Sequence, residues 1–128
     1  MSGESTEIVH AKFRMWLRPD GIVYLVWGSG VAIGLEDAVA ATSAMAELTG
    51  GKRAPLLVDA HDILTQDRSA RLEFVRRHDL VAAVALIVGT PVSRLMGNFY
   101  LSVSKPAAST RLFDDDASAI AWLQGFAG

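Results

Sequence analysis

Residues 12–27 read KFRMWLRPDGIVYLVW, and this stretch decides the fold. Phe13, Met15 and Leu17 alternate with Lys12, Arg14, Trp16 and Arg18, the period of a half-buried strand. Pro19-Asp20-Gly21 is a turn, because Pro presets φ and Gly accepts a positive one. Ile22–Trp27 is apolar throughout and completes a hairpin. Gly28-Ser29-Gly30 breaks that second arm, and Val31–Ile33 reads as a short extension.

Beyond the hairpin, helices and strands alternate. Leu35–Thr49 is a helix: Leu35, Ala38, Ala41, Met45 and Leu48 recur at helical spacing, and Glu36 and Asp37 suit the positive end of its dipole. Gly50-Gly51 stops it. Pro55 leads into a short buried strand at Leu56–Asp59, and His61–Gln66 is a polar connection. A second helix starts at Asp67 or its neighbour and runs to about His78, with Leu72, Phe74 and Val75 inward. Ala82–Gly89 (AAVALIVG) is apolar on both faces, as a central strand is. Thr90 and Pro91 are N-cap and first residue of a helix with the stripe Val92, Leu95, Met96, Phe99 and Val103. Pro106 ends it. Thr110–Phe113 is a strand, and Asp114-Asp115-Asp116 caps a last helix with Ala119, Trp122, Leu123 and Phe126 inward. The order is ββαβαβαβα. A hairpin followed by αβ units implies an α/β fold, a mixed sheet of four to five strands with helices packed on it.

Composition bounds the function. The chain has 128 residues, which is one domain's length, with Met1–Ser5 as a flexible tail and 6–128 as the folded unit. It has no cysteine, so disulfides, thiolate metal sites and a Cys nucleophile are excluded. Twelve Lys and Arg against fourteen Asp and Glu give a net charge of −2, which argues against a nucleic-acid partner. The polar start MSGEST has no signal-peptide pattern, and the longest apolar run, Leu80–Val88, falls well short of the ~20 residues that span a bilayer. The expected location is the cytoplasm, with no integral membrane association.

The chemical motifs are sparse. Gly28-Ser29-Gly30 with Gly34, followed by Asp59, resembles a dinucleotide fingerprint only superficially: the spacing is GxGxxxG, Val31–Ile33 are apolar, and the strand before it belongs to a hairpin. No cofactor is expected. His10, His61 and His78 lie in separate elements without metal-ligand spacing. His61-Asp62 and His78-Asp79 are sequence neighbours whose side chains point apart, so they are not dyads. No GxSxG elbow is present. Arg68, Arg71, Arg76 and Arg77, interleaved with Glu73 and Asp79, form a solvated face of the second helix or a surface for an acidic or phosphorylated partner. Ser93 and Gly97 share one face of the 90–105 helix beside Asn98 and Leu101. A helical Gly costs up to ~1 kcal/mol relative to Ala and so has a packing reason: contact with a neighbouring helix, a subunit interface or a small cleft.

The element order resembles the SpoIIAA-like fold of STAS domains. The segments DGIVYLVW, GLEDAVAA, KRAPLLVDAHDI, PVSRLMGNFYL and TRLFDDDASAIAWLQGF are similar to those of a family of small, uncharacterised bacterial STAS/SpoIIAA-like proteins, with PVSRxxGNFxL and LFxDxxxAxxWL the most specific patterns. That family carries no activity, cofactor or substrate to transfer. In STAS anti-sigma factor antagonists, a strand ending in Asp is followed by Asp-Ser-Ser/Thr-Gly at the next helix start, and a serine there is phosphorylated by a partner kinase. Here Asp59 and Asp67-Arg68-Ser69-Ala70 stand at the matching distance. The resemblance implies a phosphorylation switch at Ser69 or its neighbour, with Arg68 and Arg71 as partner contacts; Arg68 and Ala70 depart from the pattern.

The expectation is therefore a non-enzymatic STAS-like regulatory or interaction domain. A small apolar-ligand or lipid-binding module is the alternative, and an enclosed apolar pocket would favour it. Because Trp16 and Leu101 fall on otherwise polar faces, a symmetric homodimer is expected.

Overall fold

The computed structural model describes residues 7–91, 94–95, 97–98 and 109–126. The hairpin forms as expected. β2 (Phe13–Leu17) and β3 (Val23–Trp27) pair antiparallel, with Met15 opposite Leu25 and Trp16 opposite Tyr24. A strand that the alternation did not reveal, β1 (Glu7–Val9), pairs antiparallel with β2 at the edge. The other strands of the large sheet are β5 (Ala54–Asp59), β7 (Val81–Ile87) and β8 (Ser109–Phe113), and they run parallel to β3. The sheet has six strands, in the order β1-β2-β3-β5-β7-β8. It is the expected α/β mixed sheet, one strand wider than anticipated because three residues are too few to show a period. β7 lies inside the sheet, as its two apolar faces required.

The extension after β3 is β4 (Ala32–Ile33). It leaves the large sheet and pairs in parallel with β6 (Thr65–Gln66), which lies within the stretch read as a polar connection. This short ribbon positions two helices. β4 leads straight into α1 (Leu35–Thr49) and β6 into α2 (Arg68–Arg76), so the two helices start side by side. α1 ends where its glycines predict: Gly50 is left-handed at φ 65°, and Gly51 N–H donates to Ala46 O at 2.8 Å. A 3-10 turn at His78–Leu80 joins α2 to β7.

The sheet separates two cores. On one face Phe13, Met15, Leu25, Trp27, Leu56 and Val58 meet Ala38, Ala41 and Met45 of α1 and Ala70 and Phe74 of α2. On the other, Tyr24, Leu57, Ala83, Ala85 and Ile87 meet Ala119 and Leu123 of α3 (Asp116–Gln124). Ala83, Ala85 and Ala119 are fully buried, and their small side chains let α3 lie close to β7. Leu57 and Leu123 are fully buried as well; each such side chain contributes about 1.5–3 kcal/mol. Asp115 caps α3, accepting from Ser118 N at 2.7 Å.

Several expected inward residues point outward. Leu72 is 47% exposed and Leu95 70% exposed. Each stands two residues from a buried small residue, Ala70 and Gly97, and two residues turn a helix by roughly 200°. The buried side of α2 is instead set by Ala70 and Glu73, so Glu73 is not part of a solvated face. It lies below Arg76, which donates Nε to Oε1 at 2.9 Å and Nη2 to Oε2 at 2.7 Å. Leu35 is 45% exposed because side chains in a first turn lean past the helix start. Phe126 is exposed too, whereas Trp122 is half-buried between Phe113 and Phe126. Trp16 does not stand alone on a polar face: it is half-buried, stacked on Tyr24 at 4.7 Å, with the Arg14 guanidinium 5.7 Å above it. Val92, Met96, Phe99, Val103 and the tail at Met1–Ser5 lie outside the described residues.

Candidate functional site

The chemistry-bearing side chains gather where the parallel strands end and the β4–β6 ribbon begins. The chain after β3 is held to the chain after β5: Gly30 N donates to Asp62 O at 2.7 Å, and the Ser29 hydroxyl donates to the Asp62 carboxylate. Leu64 N donates to Val31 O at 2.8 Å. β3 also pairs in parallel with β5 across α1, so it belongs to a βαβ unit as well as to the hairpin. The hairpin therefore does not exclude a dinucleotide site. What weighs against a bound phosphate at this helix start is chemical: Gly34 N, the N-cap donor of α1, already gives its hydrogen to Asp37 Oδ2 at 2.9 Å.

Asp37 is the centre of this region. It is 3% exposed, and Lys12 Nζ donates to its Oδ2 at 2.8 Å and to Ala32 O at 2.8 Å. One ammonium thus ties β2 to β4 and α1. Burial would raise the Asp37 pKa, but the bonds from Lys12 and Gly34 outweigh it and hold the carboxyl below its ordinary value.

Asp59, at the end of β5, holds His61 by Nδ1 at 2.5 Å. The pair the sequence places together, His61-Asp62, is not the one that forms; residues two apart at a strand end share a face, and Asp-x-His was the readable signal. The Asp59 hydrogen bond raises the His61 pKa above its ordinary 6.5. The stability this adds is present below 6.5 and lost as pH rises through the raised value, and it is small because the ring is half-exposed. On the same face Tyr24 OH donates to Asp116 Oδ2 at 2.6 Å; burial and then Asp116 push the phenol up, so it remains a donor.

Ser69 is exposed on the second residue of α2, two after Asp67 at the N-cap. It is not the cap. Arg68 beside it is exposed, and Arg71 is half-buried. Arg76 and Arg77 are drawn into pairs with Glu73 and Asp79. Leu35 and Val39, one turn apart on α1, are 45% and 43% exposed, and Leu72 stands one turn beyond Ser69. Leu64, before β6, is 58% exposed.

Of the residues expected to form an interface or cleft, two can be placed, and Gly97 lines the apolar cavity between the sheet and the helices. Gly97 is buried and Asn98 exposed, while Ser93 and Leu101 lie outside the described residues. A Cβ on Gly97 would lie 3.1 Å from Leu112 Cδ2 and 3.3 Å from Val88 Cγ1. Its packing reason is the sheet, not a neighbouring helix.

A family model for a domain of unknown function spans residues 15–127, from within β2 to past α3. The chain belongs to the DUF7793 family. Among solved structures, this DUF7793 chain is similar to an uncharacterised DUF3478-family protein from Shewanella loihica PV-4. The TM-score is 0.61 at 15% identity, over 96% of this chain and 98% of that one. That protein has a SpoIIAA-like fold, and the likeness gives the same fold to this chain, as the element order implied. A protein of unknown function from Arthrobacter sp. FB24 shares 29% identity over 85% of this chain and 96% of its own, with a TM-score of 0.34. No curated protein matches the chain. Among the described residues, no helix is long and apolar enough to cross a membrane, and no cluster of metal-ligating side chains occurs.

Proposed function

We propose that this DUF7793 chain is a non-enzymatic, STAS-like regulatory domain that docks a protein partner on the paired starts of α1 and α2. The carrying observation is Ser69, exposed on the first turn of α2 next to Arg68, with Leu72, Leu35 and Val39 uncovered on the two helices. The β4–β6 ribbon brings those helix starts together. A phosphate on Ser69 would meet the dipole's positive end and Arg68, and would add a charge of about −1.5 to −2 to that surface. A non-enzymatic role fits the neighbouring chemistry, in which the Ser29 hydroxyl is spent on Asp62 and not on His61. A bacterial, cytoplasmic setting belongs to the same reading.

The test uses protein isolated from its native host. Phosphoserine at 69, and a partner retained by Ser69→Ala but lost with Ser69→Asp, is the expected result. Because Asp67 holds the cap position, Ser69→Ala should change stability by no more than about 0.5 kcal/mol. Unmodified native protein together with equal binding by both variants would overturn the switch.

The same proposal includes a homodimer. It is supported by the uncovered β1 edge, where Val9 is 70% exposed. Light scattering at high micromolar concentration should give twice the chain mass of 13.7 kDa, and a monomer there rejects it.

A further inference from the structure

Between the sheet and the paired helices lies a cavity of about 130 Å³. Met15, Leu25 and Trp27 form its floor; Ala41 and Met45 of α1 and Phe74 of α2 help form its roof. All of these except Phe74 are nearly inaccessible, from 1% exposed for Met15 to 5% for Trp27. A void in a well-packed interior leaves its lining atoms without dispersion partners on one side. A small cavity lined mostly by apolar side chains favours a compact apolar guest.

We infer that this cavity is a binding site for an uncharged apolar molecule of benzene size. The volume matches a benzene-sized guest better than a drug-sized one, which needs a pocket of about 300 Å³ or more. The polar groups that reach the lining set the charge. They are Thr42, Gln66, Arg77, His78 and Thr110, all at the margin of an otherwise apolar lining: Thr42 turns its hydroxyl onto Ala38 O at 3.0 Å, Arg77 Nε is bonded to Asp79 Oδ1 at 3.2 Å, and His78 Nδ1 lies 3.1 Å from Val75 O. The one arginine among them is already paired with Asp79, and the predominantly apolar wall makes burial of a charged guest costly. The site is independent of the Ser69 surface, although α1 and α2 serve both.

The probe is benzene, with benzoate as the charged control and labelled methionine methyl groups as reporters. The Met15 and Met45 methyl resonances should shift saturably with benzene, and the melting temperature should rise by about 5 °C at ten times the dissociation constant. Benzoate should do neither. Ala41→Leu fills the cavity from α1 and should weaken benzene binding at least tenfold. If that variant does not fold, Val84→Leu narrows the cavity from β7 by a single carbon and should weaken binding measurably. Absence of a saturable shift in the wild type, unchanged affinity in a folded filled variant, or equal binding of benzoate would overturn the proposal.

Discussion

Replacing Lys12 with Met should destabilise the fold by about 3 kcal/mol at neutral pH, measured by denaturant unfolding. Removing one partner of a buried pair costs about 3–5 kcal/mol, because the other charge stays behind unpaired. The lower end applies, since the Lys12 side chain is 37% exposed and partly screened, whereas that of Asp37 is 4% exposed. The ammonium also leaves Ala32 O without its bond. The pH dependence separates this from simple loss of packing. In the wild type the Asp37 pKa is lowered, so its contribution is present above the unfolded value of about 3.9 and lost as pH falls through the lower folded value. In Lys12→Met the same carboxyl has burial without a cation, so its pKa is raised and protonation relieves it. The gap between the two proteins should therefore shrink as pH falls toward 4. Asp37→Asn in the Lys12→Met background removes the stranded charge and should recover part of the loss. A gap below about 1 kcal/mol, or one that does not change with pH, would show that the pair carries little of the fold's stability.

Much of the architecture was legible because its signals are local. The KFRMWLRPDGIVYLVW hairpin, the α1 boundaries at Leu35 and Gly50 and the two-sided burial of β7 each follow from residues within one element. β1 and the β4–β6 ribbon were not legible: two or three residues carry no period, and their pairing partners lie elsewhere in the chain. Helix phase failed at two places where a small residue faces the core and a large apolar one stands nearby. Ala70 and Gly97 take the inward positions, and the expected Leu72 and Leu95 are turned away. Of the candidate chemistry, Ser69 kept the exposed helix-start position that the resemblance implied. Lys12 and Asp37 meet across 25 positions of sequence, and no spacing rule finds such a pair. The cavity has no sequence signal at all, because it is defined by volume that the side chains leave unfilled.

Gly97 offers the second large effect, and it tests where the helical residues 94–95 and 97–98 press. Gly97→Leu should destabilise the protein by about 1–3 kcal/mol, the usual cost of overpacking. A first added carbon already lies 3.1 Å from Leu112 and 3.3 Å from Val88, inside ordinary carbon contact, and a leucine must place three more beyond it. Against this stands helix propensity, which favours any ordinary residue over Gly by up to about 1 kcal/mol. Gly97→Ala adds only the first carbon, so its clash and its propensity gain nearly cancel. The graded series, near zero for Ala and a clear loss for Leu, is what separates packing from propensity, because propensity alone would make both variants more stable. Shortening the opposing residue gives a further check. In a Leu112→Ala background the atom nearest Gly97 is gone, so Gly97→Leu should cost less there than in the wild type, a coupling that double-mutant cycles resolve. Light scattering on the same variants adds the assembly: a shift to monomer at unchanged melting temperature would place Gly97 at a subunit contact. Unchanged melting and unchanged mass would mean that the contact with β8 yields without cost and that this glycine has no packing reason.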